Sequence, residues 1–175
     1  ITGSNGKTVV KEWLLQLFGH SKSVCANPKS YNSQIGVPLS VWQLNESHEL
    51  GIFEAGISTT GEMQQLADII DPSYGILTHL GPAHNEGFDS PEQKLIEKLK
   101  LFKNCPKVYT AYNSSVIDAL HEKAYTFGYN EPRSDLNIIE KNIRKKIFTK
   151  LKNLGANFPI IKSSRALRSV RNSGL

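Results

Sequence analysis

The 175-residue sequence predicts an α/β fold: a P-loop-type, mostly parallel sheet flanked by helices and incomplete at both ends. Three observations carry that expectation. Short β-rich runs alternate with helical patterns through most of the chain. A glycine-rich string, Gly3-Ser4-Asn5-Gly6-Lys7-Thr8, stands between a trace of β residues and an amphipathic helix. Polar residues able to do chemistry recur just beyond the apolar runs, where open α/β sheets hold their ligands.

The elements follow in order. Ile1 and Thr2 are the remnant of a launching strand; with no initiator Met, the chain is expected to be a fragment of a longer polypeptide. Val9 to Phe18 reads as a helix with Val10, Trp13, Leu14 and Leu17 on one face and Gly19 as its stop. Ser23 to Ala26 is a strand running into the polar loop Asn27 to Asn32, and Pro38 starts a short helix through Leu44. Leu50 to Ala55 is the next strand, apolar except for Glu54 near its end, followed by a helix from Thr60 to Ile70. Tyr74 to Leu80 forms a further strand leading into Gly81-Pro82-Ala83-His84. Ser90 caps, and Pro91 opens, a helix that turns Leu95, Ile96, Leu99 and Phe102 inward. Val108 to Ala111 and Ala124 to Phe127 are two more strands, with a helix over residues 114 to 123 between them.

Charge divides the chain. Residues 1–136 hold 11 Lys and Arg against 15 Asp and Glu, whereas residues 137–175 hold 10 against Glu140 alone. The domain is accordingly drawn as 1–136, with 137–175 a basic, divergent or poorly ordered tail. That tail has little aromatic content and no recognisable nucleic-acid module, so a solvated end is the reading preferred over a nucleic-acid partner. No apolar run approaches the roughly 20 residues that span a bilayer. Cys25 and Cys105 are far apart without ligand spacing, which fits buried thiols in a reducing cytoplasm.

The glycine string has a specific chemistry. Its glycines let successive backbone N–H groups turn toward phosphate oxygens, Lys7 reaches the terminal phosphates, and Thr8 offers a hydroxyl to Mg²⁺. Ile1 stands where the full pattern has another Gly, so the match is partial. Glu54, a lone carboxylate ending an apolar strand, needs a positive partner; Mg²⁺ beside Thr8 is one, and a salt bridge or helix cap is another. His84 lies four residues past a strand end, as a metal or phosphate contact would. Lys98 shares its helix with Lys94 and Lys100, where a lysine is ordinarily a solvated charge.

Taken together, Thr2–Thr8, Asn32–Pro38, Glu54-Ala55-Gly56 and Thr78–His84 resemble the Mur ligases, ATP-dependent amide-forming enzymes of cell-wall precursor synthesis. The resemblance covers about residues 1 to 110 and implies the central ATP-binding domain of that family. Asn32-x-x-Ile35-Gly36-Val37-Pro38 is similar to the branch adding D-alanyl-D-alanine to UDP-MurNAc-tripeptide. Tyr31–Gln34 with Ser40–Leu44 is similar to versions fused to an alanine racemase. The resemblance implies that Gly3, Ser4, Asn5, Gly6, Lys7 and Thr8 hold ATP and that Thr8 ligates a first Mg²⁺. It further implies that Glu54 and His84 serve a second metal and that Asn32 faces the substrate or the transferred phosphate. Lys98 falls at the lysine that many members carbamylate, so Lys7, His84 and Lys98 are the implied catalytic set.

Several features depart from the family. Gln34 and Lys100 stand where acidic residues are common, no adenine-contacting Asn-x-Asp segment is clear near Tyr109 to Ser115, and the resemblance fades beyond about residue 137. Another amide ligase of the Mur or folylpolyglutamate type, or an ATP-binding remnant that does not ligate, are the alternatives.

Overall fold

The computed structural model describes residues 1–81 and 87–139. Strands β1 (Val24–Ala26) and β2 (Leu50–Ile52) pair in parallel, with Val24 opposite Leu50. Strands β3 (Gly75–Leu77), β4 (Val108–Ala111), β5 (Ala124–Tyr129) and β6 (Leu136–Ile138) form a second, four-stranded parallel sheet in that order. Ile1 and Thr2 join the two. The Ile1 nitrogen donates to Phe53 O at 2.8 Å and Ala55 N donates to Ile1 O at 2.8 Å. On the other side Thr2 N donates to Ile76 O and Thr78 N to Thr2 O, each at 2.9 Å. Two residues of chain therefore run between β2 and β3 as the central strand. Parallel pairing brings the C-terminal ends of β2, of this short strand and of β3 to one edge.

Helices α1 (Lys7–Phe18), α2 (Gly36–Val41), α3 (Glu62–Ile70), α4 (Pro91–Leu99) and α5 (Ser114–Leu120) make the connections between strands, as parallel pairing demands. Ser90 caps α4 by accepting from Gln93 N at 3.1 Å, with Pro91 in the first turn, as the sequence indicates. Asn113 caps α5 in the same way, accepting from Val116 N at 3.1 Å. The core lies between the sheet and α3, α4 and α5. Met63 and Leu66 of α3 meet Leu101 and Phe102 of the 3₁₀ turn after α4, over Leu77 and Val108 of the strands. Phe102 sits on Gly75, where a Cβ would lie 2.4 Å from its ring. The glycine gives the aromatic its seat.

Several sequence expectations need correction. Trp13 of α1 is 57% exposed, and the fully buried residue of that helix is Lys11. Ile96 of α4 is also exposed, while Lys94, Glu97 and Lys98 are buried in its place. Both helices turn charged side chains toward the loop edge of the sheet, and apolar periodicity alone cannot register that. The helix expected to begin at Pro38 starts at Gly36 and ends at Val41. A boundary at residue 136 cuts β6, which pairs Leu136 with Phe127 and Ile138 with Tyr129. The jump in charge does not coincide with the edge of the sheet. The tail from residue 140 onward lies outside the described residues.

Candidate nucleotide site

The site begins where the central strand ends. Gly3 has φ 146° and Gly6 has φ 84°, backbone geometries that side chains resist, and a Cβ on Gly3 would sit 2.0 Å from Thr78 Oγ1. Thr78 straps the loop: its hydroxyl donates to Asn5 O at 2.7 Å, and Ser4 N donates to His79 O at 2.6 Å. Gly6 then serves as N-cap of α1 without any side-chain cap, so the first amides of the helix face the loop with no acidic residue in the first turn. Such an arrangement presents unpaired N–H donors and a helix positive end to an anion.

Three ammonium groups gather around this loop. Lys7 Nζ folds back to Gly3 O at 3.1 Å and Ser4 O at 3.4 Å. Lys98 Nζ reaches Gly3 O at 3.4 Å from α4. Lys94 Nζ donates to Gly81 O at 3.1 Å, and the same carbonyl accepts from Ser4 Oγ at 3.2 Å. Burial strips water from Lys98 and, with the like charges of Lys7 and Lys94, pulls its pKa down to about 8. Burial lowers Lys7 also; Glu54 opposes that shift and Lys94 reinforces it. Lys94 is lowered by burial. Converging, partly desolvated cations are an arrangement that a polyphosphate would relieve.

Glu54 faces this cationic group from the end of β2, with no exposed surface. Its Oε1 accepts from Thr8 Oγ1 at 3.1 Å and from Asn32 Nδ2 at 2.7 Å. Its Oε2 is buried and among the described residues has no hydrogen-bond partner, with Lys11 Nζ 3.9 Å away. The backbone of Glu54 is clamped by Asn27, which accepts from Glu54 N at 3.0 Å and donates to Glu54 O at 2.8 Å. An orphaned carboxylate oxygen beside a threonine hydroxyl suits a hard cation, so these residues fit Mg²⁺. Among the described residues no three His, Cys, Asp or Glu gather as a metal cluster, so a cation here would draw further ligands from phosphate or water.

The structure thus brings Gly3–Thr8, Glu54, Asn32 and Lys98 together, as the sequence reading grouped them. His84 lies outside the described residues. Asn27, Lys11 and Lys94 were given no role by the sequence reading, and Thr78 entered it only as the first residue of the segment Thr78–His84. For Lys11 and Lys94 the only signal is spacing: each falls on the helix face that points back at the loop. The acidic residue expected next to Lys98 is answered differently here, because Lys100 pairs with Glu97.

A parallel sheet whose central strand feeds a glycine loop, an N-terminal lysine and a threonine–glutamate pair defines the class of P-loop nucleotide-binding domains. Within that class, the Mur ligase middle domain matches residues 1–164, and the chain belongs to the Mur ligase family. It is 37% identical over 125 residues to the UDP-N-acetylmuramoyl-tripeptide--D-alanyl-D-alanine ligase of Treponema pallidum, a match covering 71% of this chain and 26% of that protein. It is 30% identical to the ligase of the same name from Rickettsia prowazekii, over 84% of this chain and 35% of that one. The chain therefore spans about a quarter to a third of these relatives. Among solved structures, MurF of Thermotoga maritima in complex with ADP aligns with TM-score 0.64 and 27% identity, covering 73% of this chain and 31% of its own. MurF of Acinetobacter baumannii, at 22% identity and TM-score 0.65 over 73% of this chain and 30% of its own, shares the fold.

Proposed function

We propose that this chain is the ATP-binding core of a ligase that joins UDP-MurNAc-tripeptide to D-alanyl-D-alanine in peptidoglycan precursor synthesis. The observation that carries the reading is the convergence of Lys7, Lys94 and Lys98 on the glycine loop, opposite the orphaned Glu54 Oε2. ATP phosphates would lie on the loop amides and Lys7. Thr8 would ligate a first Mg²⁺; Glu54 and His84 would serve a second. The metal supplies neutralisation of phosphoryl charge when bound. Asn32, held by Glu54, would face the tripeptide or the transferred phosphate. Transfer of the γ-phosphoryl group to the tripeptide carboxylate gives an acyl phosphate, which the amine of D-alanyl-D-alanine attacks to release phosphate. No side-chain nucleophile is required, only positioning and charge stabilisation.

Lys98, with its pKa pulled down to about 8, is neutral in about a tenth of molecules at pH 7, far more than an ordinary lysine. A neutral amine adds CO₂ and loses a proton to give a carbamate, and that chemistry supports the carbamylated role. The Tyr31–Gln34 and Ser40–Leu44 segments support a parent protein of the racemase-fused type, and the two buried free thiols support a cytoplasmic setting. Among the described residues no helix is long and apolar enough to cross a membrane.

A chimera tests the reading. With this chain in place of the middle domain of the Treponema pallidum ligase, phosphate release should require both UDP-MurNAc-tripeptide and D-alanyl-D-alanine, and Lys7→Ala should abolish it. A folded chimera that hydrolyses ATP regardless of either substrate would contradict the assignment.

A further inference from the structure

Lys11 is among the largest fully buried side chains of the described residues and is the one buried residue of α1. Its ammonium donates to Asn27 O at 2.6 Å and to Lys29 O. Glu12 Oε1 is 3.4 Å away and Glu54 Oε2 is 3.9 Å away. The two carbonyls belong to the loop between β1 and α2. Lys29, which supplies one of them, has φ 49°, a left-handed conformation unusual for a residue with a side chain. Three residues of the same loop complete the site: Asn27 clamps the Glu54 backbone, Ser30 Oγ lies 3.1 Å from Thr8 Oγ1, and Asn32 donates to Glu54 Oε1.

We propose that Lys11 is a positioning residue that pins the 27–32 loop to the helix following the phosphate loop and holds the Glu54 side chain in register for Mg²⁺. Desolvating an ammonium is costly unless it is fully met. Here the charge is met by two backbone carbonyls of one loop and by two carboxylates. Through that single contact set, α1, the 27–32 loop and the end of β2 share one geometry. Thr8, Ser30, Asn32 and Glu54 are thereby preset before any ligand arrives. The inference rests on the nucleotide reading for the identity of the ligand, but not for the coupling between Lys11 and Glu54.

Two double-mutant cycles on the full chain separate these parts. By calorimetry, Lys11→Met should weaken Mg²⁺·ATP binding about tenfold in the parent but under about threefold on a Glu54→Gln background, since the lysine acts through that carboxylate. A merely structural lysine would weaken both backgrounds alike, and that additive result would overturn the proposal. In chemical unfolding, Lys11→Met should lower the midpoint and adding Glu54→Gln should largely restore it, because the stranded charge is then gone. If Lys11→Met does not fold while the double variant does, the coupling is confirmed. If neither folds, or if the unfolding cycle is additive, it is refuted. Absence of Mg²⁺·ATP binding by the unmutated chain would instead sink the nucleotide reading, with the unfolding cycle still deciding the role of Lys11.

Discussion

Lys98 is a buried ammonium that donates to the Gly3 carbonyl, and its energetics are set by desolvation. Its pKa is about 8 in the folded chain, against an ordinary 10.5. The unfolded chain therefore binds the extra proton between these values, and stability rises as pH climbs from about 8 to about 10.5. Below pH 8 the full penalty applies, on the order of 3 kcal/mol. Lys98→Met should accordingly raise the unfolding free energy at pH 7 by roughly that amount, with the gain shrinking toward pH 10. Urea titrations of both proteins at several pH values would show it; a gain that is constant with pH would contradict the account. A stabilising loss at a site residue is the signature of a group held for function. The sequence exposed part of this residue chemistry. Lys7, Thr8 and Glu54 are legible because each sits at a strand or helix end in a known phosphate-loop order. Lys11 and Lys94 are not, because a lysine on a helix is read as a solvated face, and only the fold shows which face turns inward.

At the scale of elements, α4 delivers chemistry and support from one face. Lys94 and Lys98 point to the loop, while Glu97 caps α3: its Oε1 accepts from Gly61 N at 2.7 Å and Met63 N at 3.4 Å, and its Oε2 pairs with Lys100. Burial pushes the Glu97 carboxyl up, but the Lys100 contact and the α3 amides outweigh it and leave the pKa below the usual range. Its stabilisation is therefore present above the ordinary carboxylate pKa and lost on acidification. Glu97→Ala should cost about 2–3 kcal/mol at neutral pH, from a charged acceptor removed from buried amides. Denaturant unfolding checks this, and an unchanged midpoint would show that water replaces the cap. Elements with local signals were readable: Ser90-Pro91 opens α4 and β4 runs from Val108 to Ala111, as read. By contrast β6 escaped, because Leu136-Asn137-Ile138 is three residues long and gains its meaning only by pairing with β5. The strands before the loops end earlier than their apolar runs. Phe53 and Thr78 lie just past the named strands and bond to Ile1 and Thr2 instead.

At the scale of the molecule, the sheet is held together across its middle by two residues, Ile1 and Thr2, whose backbone bonds Phe53 and Ala55 just past β2 on one side and Ile76 of β3 and Thr78 on the other. The glycine loop emerges from that seam, so phosphate binding and continuity of the sheet depend on the same short segment. Large apolar side chains at the two ends of α2, Ile35, 73% exposed, and Trp42, 86% exposed, stand on the surface. The chain spans a quarter to a third of the length of these relatives. Given ATP, UDP-MurNAc-tripeptide and D-alanyl-D-alanine, the chain alone should release no substrate-dependent phosphate, because in many enzymes a closing motion completes the catalytic site. Release dependent on both substrates would contradict that expectation.

The central claim is that the loop at Gly3–Thr8, with Glu54 opposite, forms a Mg²⁺-dependent nucleotide site in this chain. Calorimetric titration of ATP into the chain, with Mg²⁺ and then with chelator, and into Lys7→Ala, tests it most directly. The account predicts saturable binding that weakens on chelation and disappears in Lys7→Ala. Binding unaffected by Lys7→Ala, or no binding by a folded chain, would contradict it.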